Sequence, residues 1–272
     1  MKKYTLIAGL FSIILPGLGQ IHNRQPKKAL VSCLVLDGSI TALCLAGFPY
    51  HFWGLAIVLA LLFSFYFWSV ADAIRVSLRP GTDALTANGK LQQLFFAVVL
   101  LVSAFSIPVS AKALGLRAFY LPTNSMAPTI SAGDSIMVDM NYYRTRQPAR
   151  GEVVLISHAQ VPFVPKRIIA VEGDSIKSEA DQVYINGNLI NEPYAKFIGR
   201  QSLDRFNTQH VALDFAVKVV PSGQLFVMGD NRDNSFDSRD PEFGFVKVSD
   251  VLGKPLYIYW SPARSRIGQS IN

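Results

Sequence analysis

Three short stretches of this sequence hold residues that could do chemistry together. In the run 121–138, LPTNSMAPTISAGDSIMV, Ser125 sits in a turn directly before a strand-like stretch. Pro122, Asn124 and Pro128 keep the surrounding backbone out of helix, while Met126 and Ile130 supply apolar anchors on either side. A hydroxyl held this way suits the mouth of a groove, but a serine is a weak nucleophile until a base takes its proton. The run 164–174, VPKRIIAVEGD, sets Lys166 and Arg167 at the start of an apolar strand. Consecutive strand residues point to opposite faces. If the Lys166 face is buried, desolvation disfavours the ammonium and moves the amine toward the range of a general base. Serine with a neutral lysine is a dyad capable of acyl transfer. The third stretch, MGDNRDNSFDSR at 228–239, is dense in turn formers and opposite charges and reads as a self-bonded loop.

Taken singly, these are a turn serine, a solvated lysine and a surface Asp/Arg pair. Together and in this order, they resemble the type I signal peptidases, membrane-bound serine proteases of bacteria that remove signal peptides. The resemblance runs from about Phe119 to Trp260. It rests on a Ser-Met-x-Pro-Thr segment, a Lys-Arg pair before an apolar run and Gly-Asp, and a Gly-Asp-Asn-x-x-x-Ser-x-Asp-Ser-Arg segment. The resemblance implies Ser125 as nucleophile and Lys166 as general base. Ser235 would orient the amine, and Thr123 would lend a hydroxyl to the oxyanion hole. Asp237 would pair with both Arg167 and Arg239 to brace the site. The family's preference for small residues before the cut would be met by shallow pockets of Met126, Ile136 and Val138. A signal peptide would lie as an added strand along the edge at 136–138. The resemblance implies no cofactor and no metal. It makes the partners the signal peptides of exported preproteins and membrane lipid, for a monomer working near the secretion translocon. The stretch 175–222 is shorter than in the largest members, which implies a reduced accessory β-domain.

Composition must then account for how these groups are carried. Half of the 272 residues are hydrophobic, which points to membrane. Residues 1–115 hold nine Lys/Arg against three Asp/Glu, and residues 116–272 hold seventeen against sixteen, so the net charge of +7 belongs almost wholly to the first part. A nucleic-acid binder would concentrate its basic excess on the soluble domain, so that class is set aside. Cys33 and Cys44 share one apolar segment, which leaves no disulfide framework or thiolate zinc site. His22, His51, His158 and His210 lack ligand spacing.

Residues 1–115 read as a membrane domain, with spans at 29–47, 51–71 and 94–114. Residues 4–20 are either re-entrant or spanning, because Pro16 and Gly17 break a run short for a full crossing. Basic loops at Arg24, Lys27, Lys28 and at Arg75, Arg79, Lys90 would be cytoplasmic, placing everything after Leu114 outside the cytoplasmic membrane. Residues 116–272 read as an exported β-rich domain, with strands at 135–140, 152–157, 167–171, 182–185, 225–228 and 256–260. Asn186-Gly187 is a hairpin turn. The tail 261–272 is polar and expected to fray. The whole is a membrane-anchored, mainly β chain: transmembrane helices, then a β-rich catalytic domain.

Overall fold

The structure, a computed structural model, describes residues 10–13, 17–23, 25–78, 94, 114–197 and 214–272. The expected span at 94–114 and most of the loop before it lie outside the described residues. The chain divides into two compact units, Met1–Leu114 and Gly115–Asn272.

In the first unit a short helix α1 (Leu18–His22) precedes two long ones, α2 (Pro26–Leu45) and α3 (Phe52–Ser77). Pro26 opens α2 at a position where a missing N–H costs nothing. Lys27–Leu45 and Phe52–Ser77 are long and apolar enough to cross a bilayer. Trp53, Phe63 and Phe67 on α3 and Val31 and Val35 on α2 are well exposed. A surface of this kind is at home in lipid, not in water. Helix α3 runs further than the sequence reading, past Asp72, which pairs with Lys28 at 2.6 Å. Of the stretch 4–20, the described part turns at Gly17 into α1. The Gln20 amide then donates to the Ser69 carbonyl on α3 at 2.7 Å, and Asn23 Nδ2 to that of Ala73 at 2.6 Å.

The second unit is built on a seven-stranded antiparallel sheet in the order β1-β2-β11-β3-β4-β9-β10. Its strands are β1 (Leu116–Tyr120), β2 (Ser135–Asp139), β3 (Val153–Ile156), β4 (Val164–Val171), β9 (Gln224–Met228), β10 (Val246–Lys247) and β11 (Val251–Trp260). A smaller sheet, ordered β7-β6-β5-β8, holds β5 (Ser175–Glu179), β6 (Gln182–Ile185), β7 (Asn188–Leu189) and β8 (Phe215–Val219). The Asn186-Gly187 turn joins β6 to β7, with both residues at positive φ. Strand β11 curls the large sheet. It pairs with β3 at its start and β2 at its end, through register shifts between Val251 and Gly253, Pro255 and Tyr257, and Ile258 and Trp260. Gly253 permits the close approach, since a Cβ there would lie 2.6 Å from the Asp139 carbonyl.

Strands β3, β4 and β9 are buried on both faces, which explains the apolar runs of β3 and β9 and of β4 after its Lys166-Arg167 pair. Val153 and Leu155 join one core cluster with Ile136, Val138 and Ile258, while Val154 and Ile156 join another with Val164, Ile168 and Val227. The tail is not frayed: Ile271 is 2 % exposed in the first cluster, and its N–H donates to the Leu256 carbonyl at 2.9 Å. One apolar residue and a few main-chain bonds outweigh the polar composition around it.

Candidate active site

Ser125 stands in the turn that links β1 to β2. Its carbonyl accepts the Asn231 N–H at 3.1 Å, and the Asn124 carbonyl accepts Asn231 Nδ2 at 3.1 Å. The turn closes on itself through Ala127 N–H to the Asn124 carbonyl and Ile130 N–H to that of Met126. The Ser125 side is half-buried, and the Thr123 hydroxyl lies 3.5 Å from the Ser125 hydroxyl.

Lys166 sits in β4, between β3 and β9. Strand alternation puts it on the face of Val164 and Ile168, and its residue is 1 % exposed. Its Nζ donates to the Ser235 hydroxyl at 2.7 Å. The amine is lowered from 10.5 to about 8. Burial is the main cause; Asp237 pulls back upward, Arg239 adds to the fall and Asp230 opposes it. A base near the working pH is the kind that proton transfer favours.

Gly229 joins the two halves. A Cβ built on it would lie 2.2 Å from the Ser235 hydroxyl oxygen and 2.3 Å from the Ser125 carbonyl. The Ser125 main chain and the hydroxyl partner of the Lys166 amine therefore press on the same glycine. Among the described residues, no hydrogen bond joins the Lys166 amine to the Ser125 hydroxyl. Contacts of this sort commonly tighten only once substrate is bound.

The loop 229–240 is self-bonded, as its composition suggested. Asp237 takes Arg239 Nε at 2.8 Å and Nη2 at 2.9 Å, and its Oδ2 accepts the Gly229 N–H at 2.9 Å. Burial works to raise the Asp237 carboxyl, but Arg239, the Lys166 charge and the Gly229 N–H together outweigh it and the group is held below its ordinary range.

Three expectations need correction. Arg167 does not pair with Asp237. Its Nε and Nη2 grip both oxygens of Asp230 at 2.8 and 2.7 Å, because β4–β9 pairing sets Arg167 opposite Met228, two residues before that aspartate. Nor is the stretch 136–138 an open edge: β2 is paired along its length with β1 on one side and β11 on the other. Finally, Met126, Ile136 and Val138 are at most 1 % exposed in the core beneath the turn, where they support the site and offer a peptide almost no surface.

The sequence reading missed Thr129, whose hydroxyl donates to Asp230 Oδ2 at 2.5 Å, and Asn231, which grips the main chain of 124–125. It also missed Glu192, paired with the buried Arg232. The only hint was that the loop carries more charges than one Asp/Arg pair uses. No cluster of His, Cys, Asp or Glu suited to a metal occurs among the described residues.

Comparison with known proteins identifies the family of the chain. Residues 91–260 match the family model described as signal peptidase, peptidase S26. Signal peptidase I U of Bacillus subtilis is 33 % identical over 181 residues, covering 66 % of this chain and 93 % of that protein. A probable signal peptidase I-2 of Synechocystis is 32 % identical over 165 residues, covering 56 % and 69 %. Signal peptidase I S of Bacillus subtilis is 36 % identical over 138 residues, covering 50 % and 73 %. A crystal structure of a signal peptidase I from Enterococcus faecalis aligns with 31 % identity and a TM-score of 0.32, covering 40 % of this chain and 97 % of that one. On the match over 91–260, this chain belongs to the signal peptidase family, peptidase S26.

Proposed function

We propose that the chain is a signal peptidase I: a membrane-anchored serine endopeptidase that cuts signal peptides from exported preproteins, with Ser125 as nucleophile and Lys166 as base. The observation that carries this reading is the Lys166 amine, buried in an apolar strand pair and bonded to a hydroxyl instead of a carboxylate. A carboxylate partner would hold the proton on the amine; Ser235 orients it without doing so.

In the proposed reaction Lys166 Nζ takes the Ser125 proton as Oγ attacks the scissile carbonyl. The Ser125 N–H and the Thr123 hydroxyl receive the developing oxyanion. The tetrahedral intermediate collapses, and the departing amine, the new N-terminus of the mature protein, takes its proton from Lys166. Water then attacks the acyl ester, giving one proton to Lys166; as the second tetrahedral intermediate collapses, Lys166 returns that proton to Ser125 Oγ and the signal peptide leaves as a carboxylic acid. With β2 closed on both edges, the exposed run Pro122, Thr123 and Asn124 is the backbone offered to the peptide. The basic residues Arg24, Lys27 and Lys28 and Arg75, Arg79 and Lys90 place their loops in the cytoplasm, so this multi-pass anchor presents the catalytic unit outside.

The test is incubation of the detergent-solubilised chain with a preprotein. Ser125→Ala and Lys166→Ala should each lower cleavage by on the order of 10⁶-fold while leaving membrane insertion intact. Cleavage should rise with pH through about 8 as Lys166 loses its proton. Cleavage retained by either variant would falsify the dyad.

A further inference from the structure

The segment after β11 makes contacts that the chemistry above does not use. Arg266 Nη1 donates to the Pro128 carbonyl at 3.0 Å, and its Nη2 to the Thr129 carbonyl at 3.0 Å and Asp134 Oδ2 at 2.8 Å. Its Nε also faces Asp134, at 3.1 Å. These acceptors lie in the turn just after Ser125. Ile271 enters the same core cluster as Met126 and Ile130. The main-chain oxygen of Asn272 accepts Arg167 Nη1 at 2.7 Å, beside the base on β4. The segment is fixed to β11 by Gly268 N–H to the Ile258 carbonyl and Ile258 N–H to that of Gln269.

The contacts close a ring. Arg266 holds the Thr129 carbonyl, and the Thr129 hydroxyl bonds to Asp230. Asp230 is gripped by Arg167, and Arg167 holds Asn272 on the same segment as Arg266. The ring passes through the nucleophile's turn, the closing loop, the base's strand and the segment 264–272. We propose that this segment is a strap that sets the separation of the Ser125 hydroxyl and the Lys166 amine, with Arg266 as its positioning residue. The inference rests on the peptidase reading above. A planar guanidinium meets several acceptors at once in a fixed fork, which an ammonium cannot do. The strap therefore depends on arginine, not merely on positive charge.

The experiment measures preprotein cleavage by the full chain in detergent. Arg266→Ala should lower kcat by about 10- to 100-fold with KM within about twofold, the size expected when reacting groups are misplaced by about an ångström. The midpoint near pH 8 should stay where it is, since the surroundings of Lys166 are unchanged. Arg266→Lys should recover little of the loss. Combined with Thr129→Val, the double variant should lose no more than the worse single one, because both open one ring; independent packing defects would multiply. If Arg266→Ala does not fold, Arg266→Gln, which keeps a single donor nitrogen and loses the fork, is read in the same way. A kcat within about twofold of the parent, rescue by lysine, or multiplying losses would each overturn the strap. An inactive parent, or an active Ser125→Ala, would instead sink the peptidase reading.

Discussion

Lys166 and Arg167 are neighbours on one strand, buried to 1 % and 3 % exposure, and they meet opposite fates on its two sides. On one side the amine finds a hydroxyl and apolar strands, so burial drives it toward the neutral form. On the other the guanidinium finds the Asp230 carboxylate, the carbonyls of Gly151 and Asn272, and the Tyr194 ring 4.0 Å away. A guanidinium cannot give up its proton, so that pocket has to supply counter-charge and acceptors. Equal burial thus pushes an amine toward neutrality on one side and keeps a charged, paired brace on the other; the partner decides, not the depth.

The contrast is broken most severely by exchanging the chemistry. Lys166→Arg keeps a cationic side chain but cannot deprotonate, and it should lower preprotein cleavage by on the order of 10⁶-fold at every pH. A variant that still cleaved, with a midpoint near pH 8, would show that another group is the base. Next in size is the brace. Arg167→Met strands a buried Asp230 and should destabilise the chain by about 3–5 kcal/mol, read by urea or thermal unfolding. Adding Asp230→Asn should return part of that loss, since the cost comes from the unpaired carboxylate.

The smallest effect has the opposite sign. In the unfolded chain the lysine titrates near 10.5, and in the folded one near 8. Between those values the unfolded state holds a proton that the native state lacks, so stability rises with pH across that window and carries its full penalty below about 8. Lys166→Met removes the penalty. It should be inactive, yet more stable at pH 6–7 by at most about 3 kcal/mol, with the gap closing as pH rises toward 10.5. A methionine variant less stable than the parent at pH 6 would mean that the Ser235 bond outweighs burial.

Several parts of this arrangement were legible in the residues. The alternation rule separates Lys166 from Arg167 on sight, and the density of turn formers at 229–239 announces a self-bonded loop. Strand β4 begins earlier than its apolar run suggests, because a lysine with a polar partner and an arginine with an ion partner can both be buried in a strand. The resemblance gave Arg167 to Asp237, whereas the structure gives it to Asp230. Both lie in one short loop, and only the pairing of β4 with β9 says which is in reach. Strands β1 and β8 went unread because they are half-exposed with no clean alternation, and β5 because one of its two buried positions is a serine, Ser178 beside Ile176.

What the sequence determined alone is what depends on neighbours along the chain: the apolar length of the helices, the Asn186-Gly187 turn, the side to which each strand residue points, and three motifs in one order. What the tertiary structure decided is what depends on residues far apart meeting. It closed both edges of β2, buried Met126, Ile136 and Val138, tied Arg167 to Asp230, and drew a polar tail into the core by Ile271. Local conformational preference is written every few residues, but a salt bridge or a closed sheet edge depends on a register set by packing across the whole domain.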